Sequence, residues 1–269
     1  MKFLKLLLFS KANLPSRLIR KVFYLFINFF GIFKIEDAQQ DELYKKIGLD
    51  RKSGLKKLNS IMEERLGYIY QENKNSFSEH LILFSSISIN FPFKNILEIG
   101  TYNGQTALIL SDLFPSSIVT TIDLPSKDPD YYETYGRDKN ADQFIKLRDN
   151  ILANNVKINF LEKNSVLLTN SNERYDLIWI DGAHGYPVVA MDLINSVRLI
   201  NSNGIIMIDD IYTNKLTSDK FYKSVGGIES LEAMKNANLI SKYYLFPKRL
   251  MTNQNVPWKK KYVGLIFVN

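Results

Sequence analysis

The sequence predicts an α/β protein: a seven-stranded, mostly parallel sheet covered by helices on both faces, ending in an antiparallel hairpin and preceded by a helical extension. Three observations carry this expectation. From residue 95 to 209 short, near-continuous apolar runs alternate with helix-patterned stretches, as strands buried on both faces require. The last two apolar runs follow one another with no helix between them. The chain has 269 residues, 45% hydrophobic and 13% aromatic, enough apolar material for a large core.

Residues 1–34 form a tail. It holds seven cations, Lys2, Lys5, Lys11, Arg17, Arg20, Lys21 and Lys34, and the first acid is Glu36. The net charge of the chain is +7, so the body is balanced and a wide basic face for nucleic acid is not favoured. Apolar residues crowd the same tail at Phe3, Leu4, Leu6–Phe9 and Val22–Phe33. A helix over the last of these runs spans about 18 Å, short of the roughly 30 Å hydrocarbon core. Lys5 splits the first stretch, and Ser10-Lys11-Ala12-Asn13 makes a poor signal-cleavage site. Two readings stay open: an interfacial anchor on an anionic leaflet at the inner face of a membrane, or an arm that packs on the body or on a second copy in a homo-oligomer.

Residues 35–77 read as a connector of short helices with breaks at Gly48, Gly54 and Gly67. The domain proper then runs over 78–269. A helix capped by Ser76 or Ser78 extends to Ile89 and stops before Pro92. Strands follow at Asn95–Ile99, Ser117–Asp123, Val156–Leu161, Tyr175–Asp181 and Gly204–Asp209, with helices at Gln105–Phe114, Ala141–Asn154 and Val188–Ile200 between them. A helix near Gly227–Asn238 leads to the hairpin strands Ile240–Phe246 and Lys261–Val268.

In open α/β sheets the ligand lies beyond the carboxyl ends of the strands. The first strand ends Glu98-Ile99-Gly100-Thr101-Tyr102-Asn103-Gly104, an acid followed by Gly-x-x-x-Gly and a helix, rather than the Gly-x-Gly-x-x-Gly of a dinucleotide site. Asp123 ends the second strand, where a carboxylate can take both hydroxyls of a ribose, and Asn164 and Ser165 after the third suit an adenine edge. Glu98, Gly100, Gly104, Asp123 and Asn164, in this order and spacing, resemble the cofactor motifs of class I S-adenosylmethionine-dependent methyltransferases, which have a Rossmann-like sheet. The resemblance implies that Glu98 lies near the charged methionine end of the cofactor, that Gly100, Thr101, Tyr102, Asn103 and Gly104 line its loop, and that Asp123 holds the ribose.

The fourth and fifth strands end Asp181-Gly182-Ala183-His184 and Asp209-Asp210. Three carboxylates on neighbouring strand ends repel unless something neutralises them, and a divalent cation on oxygen ligands, Mg²⁺ or in its place Mn²⁺ or Ca²⁺, would do so. Asp209 and Asp210 can share an ion only if the strand ends there, since strand neighbours point to opposite faces. The set resembles metal-dependent O-methyltransferases of the catechol, caffeoyl-coenzyme A and macrocin types, which implies metal ligands at Asp181, Asp209 and Asp210. Asp181 would also serve cofactor binding and catalysis. The first two types carry a lysine base where His184 stands, and the macrocin type an Asp where Ala183 stands. A neutral His184 can take a proton from a hydroxyl; the other reading is that it only hydrogen-bonds the loop or contacts the cofactor. The chain has no Cys and only two His, which excludes thiolate metal sites and cysteine nucleophiles; His80, on an apolar helix, reads as packing, and Trp179 as core. Asp128–Tyr135 is either a lid over an acceptor or a solvated loop. The expectation is a cytoplasmic O-methyltransferase for a sugar or glycan hydroxyl, with a phenolic or lipid-linked acceptor, or an idle cofactor-binding module, as the alternatives.

Overall fold

The computed structural model describes residues 32–71, 78–133, 141–153, 155–213, 224–248 and 261–269. The basic apolar tail, apart from its last residues, and the proposed Ser76 cap lie outside them. Two helices open the described chain, α1 (Ile32–Lys46) and α2 (Arg51–Leu66), followed by α3 (His80–Asn90). Then come β1 (Asn95–Ile99), α4 (Gln105–Leu113), β2 (Ile118–Asp123), α5 (Pro129–Glu133), α6 (Ala141–Ala153), β3 (Ile158–Glu162) and β4 (Tyr175–Ile180). The remainder is α7 (Val188–Leu199), β5 (Ile200–Tyr212), α8 (Gly226–Asn236), β6 (Ile240–Pro247) and β7 (Lys261–Val268).

The strands form one sheet in the order β3-β2-β1-β4-β5-β7-β6. β1 to β5 run parallel, while β7 pairs antiparallel with both β5 and β6. Alternation along the central strands explains their apolar runs. Ile96, Leu177, Trp179, Ile205 and Met207 enter one core layer; Leu97, Ile99, Ile178, Ile180, Ile206 and Ile208 enter the other. Each such side chain, removed from water, contributes roughly 1.5–3 kcal/mol, so strands buried on both faces hold the sheet. Trp179 is fully buried, and the His80 ring lies 4.8 Å from it and 5.4 Å from Phe84, a packing position.

Four sequence expectations need correction. Gly54 is no break: it lies inside α2 against α3, where a Cβ would fall 1.9 Å from the Ser86 hydroxyl, so glycine is there for close helix packing. Gly48 and Gly67 do end their helices. α1 and α2 are more than a connector, because Tyr44, Leu58 and Met62 join the same core layer as Trp179. No side chain caps α3; it starts at His80, and the Leu81 amide donates to the Ser78 carbonyl. β5 does not end at Asp209 but continues to Tyr212 through a register shift between Ile208 and Ile211. Finally, the 3₁₀ turn Ser165–Asn170 has no counterpart in the sequence pattern.

Candidate functional site

The sheet order reverses between β1 and β4, and it is beyond the carboxyl ends at such a reversal that open α/β sheets bind their ligands. Ile99 pairs with both Ile122 and Ile180, and Ile180 with Ile208, so Gly100, Asp123, Asp181 and Asp209 stand level across four strands. Gly100 has φ +100, and a Cβ on it would lie 2.4 Å from the Asp181 carbonyl oxygen. Only glycine lets the β1 loop pass so close to the β4 loop.

Beside that crossing, the Tyr102 amide donates to Asp123 Oδ2 at 3.1 Å and the Leu124 amide to Oδ1 at 2.9 Å. Asp123 thus joins the first two loops. Asn103 Oδ1 accepts from the Gln105 amide at 3.1 Å at the start of α4. Thr101 Oγ1 lies 2.7 Å from Thr121 Oγ1, which donates to Glu98 Oε2 at 2.5 Å. Glu98 is buried, and burial pushes its carboxyl up to about 8 against the opposing Thr121 hydrogen bond, with Asp123 adding to the rise. Tyr102 is half exposed, its ring 4.8 Å from Phe144. Asn164 Oδ1 accepts the Val166 amide at 3.0 Å and so caps the 3₁₀ turn, while the Ser165 carbonyl accepts from Asn195 at 3.4 Å. Of the aromatic loop after β2, Tyr131 is core, fully buried with its hydroxyl 3.3 Å from Arg148 Nη1.

The acids at the ends of β4 and β5 do come together, but the counter-charge is part of the chain. Asp210 takes a left-handed conformation, φ +54, at the register shift, which turns its carboxylate to the same group that Asp209 contacts. That group is the ammonium of Lys248, which donates to Asp209 Oδ2 and, at 2.5 Å, to Asp210 Oδ1. Lys261 Nζ donates to Asp210 Oδ2, also at 2.5 Å. His184 Nε2 stands 3.8 Å from Asp181 Oδ1 and 3.7 Å from Asp210 Oδ2.

Burial opposes the charge on Asp210, yet Lys248, His184 and Lys261 pull its carboxyl well below the ordinary range. Burial likewise opposes the Lys248 charge, but Asp209 and Asp210 raise it above the ordinary amine range. Burial and then Asp209 push the Asp181 carboxyl up, Lys248 counteracting. Burial lowers His184 despite Asp210 and Asp209, so the imidazole is neutral at neutral pH.

The expected divalent site therefore does not fit. Among the described residues no group of three or more Asp, Glu or His side chains is arranged to hold a metal ion. Asp209 Oδ2 and both oxygens of Asp210 already accept from ammonium protons, while Asp209 Oδ1 is buried without a hydrogen-bond partner. Repulsion between the carboxylates was the premise, and in this structure Lys248 and Lys261 are the cations that meet Asp209 and Asp210. Sequence reasoning missed Lys248 and Lys261 because it treated the hairpin as an edge decoration. The signal lay in the hairpin pairing, since β7 lying against β5 puts Lys261 opposite Tyr212, two residues past Asp210, and Tyr262 opposite Pro247, next to Lys248.

Residues 97–211 match the family model of a methyltransferase domain. Among solved structures the chain is similar to a cofactor-bound protein from MTB, with 15% identity, a TM-score of 0.50, and 69% of this chain and 78% of that one covered. It is also similar to the O-methyltransferase TomG from Streptomyces achromogenes, solved in complex with SAM, with 13% identity, a TM-score of 0.48, and 85% and 95% covered. No curated protein sequence matches the chain. The first of these likenesses concerns the fold.

Proposed function

We propose that this chain, which carries a class I S-adenosylmethionine-dependent methyltransferase domain, transfers the methyl group to oxygen, on a hydroxyl of a sugar or glycan. The observation that carries the reading is His184: a neutral imidazole, 3.7–3.8 Å from two carboxylates, at the carboxyl end of β4 beside the Gly100 crossing. The cofactor supplies an electrophilic sulfonium methyl. Asp123 and the loop Gly100–Gly104 are assigned to its ribose and backbone side, Glu98 to its charged end, and Asn164 and Ser165 to the base. His184 Nε2 accepts the hydroxyl proton as the oxygen attacks, and Asp210 and Asp209 stabilise the imidazolium that results. Alignment of the acceptor oxygen with the methyl carbon then supplies much of the barrier reduction. No metal step belongs to this reading, because Lys248 takes up the carboxylates.

The sugar acceptor rests on the resemblance to the macrocin type; a phenolic or lipid-linked hydroxyl, or cofactor binding without turnover, are the alternatives. Titration calorimetry with S-adenosylmethionine, followed by a hydroxyl-acceptor panel, separates them. Asp123→Ala should weaken cofactor binding by about 1.5–3 kcal/mol through lost charged hydrogen bonds. No binding by the wild type would overturn the enzyme reading, and turnover of phenols but not sugars would replace the acceptor.

Peripheral contact with an anionic membrane is proposed from composition alone, from the seven cations and apolar runs of residues 1–34. No described helix is long and apolar enough to cross a membrane. Full-length protein should sediment with acidic vesicles at low salt and less at high salt, while a chain starting at Ile32 should not. Equal sedimentation of the two would remove the anchor in favour of the packing arm.

A further inference from the structure

We propose that Lys248 is the resident cation of the cleft: its ammonium stands where a divalent ion would bind Asp209 and Asp210, and the site works without such an ion. Three features of the backbone show that this lysine is built into its place rather than folded into a gap. Its amide donates to the Lys261 carbonyl at 2.9 Å, which ties the end of β6 to the start of β7. Its carbonyl accepts from the Glu79 amide at 2.8 Å, which ties it to the start of α3. The carbonyl of the preceding Pro247 accepts from Gln40 Nε2 at 3.2 Å, on α1. The side chain therefore enters the cleft from a point fixed on three sides.

The acid side is built to match. A regular strand would send Asp209 and Asp210 to opposite faces. The register shift and the left-handed Asp210 instead bring both carboxylates onto one nitrogen. The residue whose backbone pays this strain is one that reaches both lysines, Lys248 through Oδ1 and Lys261 through Oδ2. Two ammonium groups thus stand against the paired carboxylates of Asp209 and Asp210. A divalent ion added to this arrangement would either share Asp209 Oδ2 and Asp210 Oδ1 with Lys248 or, on the unpartnered Asp209 Oδ1, meet its charge at close range, so ion and ammonium exclude one another.

Lys248 acts through Asp209 and Asp210 and is a positioning residue. This inference needs only the geometry; its activity arm alone depends on the methyltransferase reading. The test uses Mn²⁺ as the probe, followed by electron paramagnetic resonance and by thermal shift, on the full chain. Wild type should bind no Mn²⁺ at millimolar concentration and show no shift. Lys248→Ser frees Asp209 Oδ2 and Asp210 Oδ1, and it should gain one Mn²⁺ site together with a Mn²⁺-dependent rise in melting temperature. Adding Asp209→Asn to that variant should abolish both gains. Lys248→Arg keeps the charge and should remain blind to Mn²⁺ like the wild type. Stoichiometric Mn²⁺ binding by the wild type that Asp209→Asn removes would overturn the proposal, as would a folded Lys248→Ser chain with no gain. Should Lys248→Ser fail to fold, the wild-type and Lys248→Arg measurements still decide. Wild-type turnover, once an acceptor is found, should be unchanged by a chelator; a tenfold loss restored by Mg²⁺ would also overturn it.

Discussion

At the scale of single residues, Glu98 shows how position sets chemistry. Its place near the end of β1 buries the carboxyl, which accepts a hydrogen bond from the Thr121 hydroxyl. A carboxyl that ionises at about 8 is mostly protonated at pH 7. If the positive end of the cofactor lies near it, that charge favours the carboxylate, so binding releases a proton. Cofactor affinity should then rise with pH up to about 8 and level off, by at most tenfold per pH unit. Glu98→Gln should flatten that dependence in calorimetry; an unchanged slope would show that another group is responsible. The same shift has a folding consequence. An acid raised in the folded state favours folding below its unfolded value near 4.5, and this advantage is lost as pH rises toward about 8. The variant should accordingly gain stability over the wild type at pH 8 and not at pH 4.

At the scale of elements, the parallel strands were legible because burial on both faces writes a continuous apolar run, and the ligand-end residues Gly100, Asp123 and Asp181 fall where those runs stop. β5 was not legible in the same way. Ile211 and Tyr212 continue the apolar pattern beyond two acids, and a pair of adjacent charged residues reads as a strand end unless a bulge is allowed for. The bulge depends on a partner strand, β7, some fifty residues away in sequence, so no local pattern announces it. Gly54 failed for a related reason. A glycine amid polar residues signals a break locally, whereas here its meaning lies in Ser86 on another helix. Asn164 shows a third case: a small polar residue after a strand fits a ligand contact and a cap equally well, and the structure shows it serving the Val166 amide.

At the scale of the whole molecule, the helices ahead of the sheet and the cleft are one mechanical unit. Arg51 on α2 forms two bonds to Glu79, Nε to Oε1 at 2.7 Å and Nη2 to Oε2 at 3.0 Å, and the Tyr44 hydroxyl donates to Oε1 at 2.8 Å. The amide of that same Glu79 holds the Lys248 carbonyl, so a buried ion pair between α2 and the start of α3 fixes the backbone from which the cleft lysine extends. Burial raises the Glu79 carboxyl, and Arg51 is the main influence opposing the rise. Arg51→Met would leave a buried carboxylate without its cation, a loss of about 3–5 kcal/mol. For a chain of this size that is on the order of 10 °C in melting temperature. The loss should be full at pH 8 and shrink toward pH 5, because Glu79 can then take a proton instead of staying charged. Replacing both partners, Arg51→Met with Glu79→Leu, should recover most of the stability, since apolar substitutes of similar volume avoid the desolvation of both charges. A pH-independent loss in the single variant, or no recovery in the double one, would mean that Arg51 stabilises the fold through packing of its stem and not through Glu79.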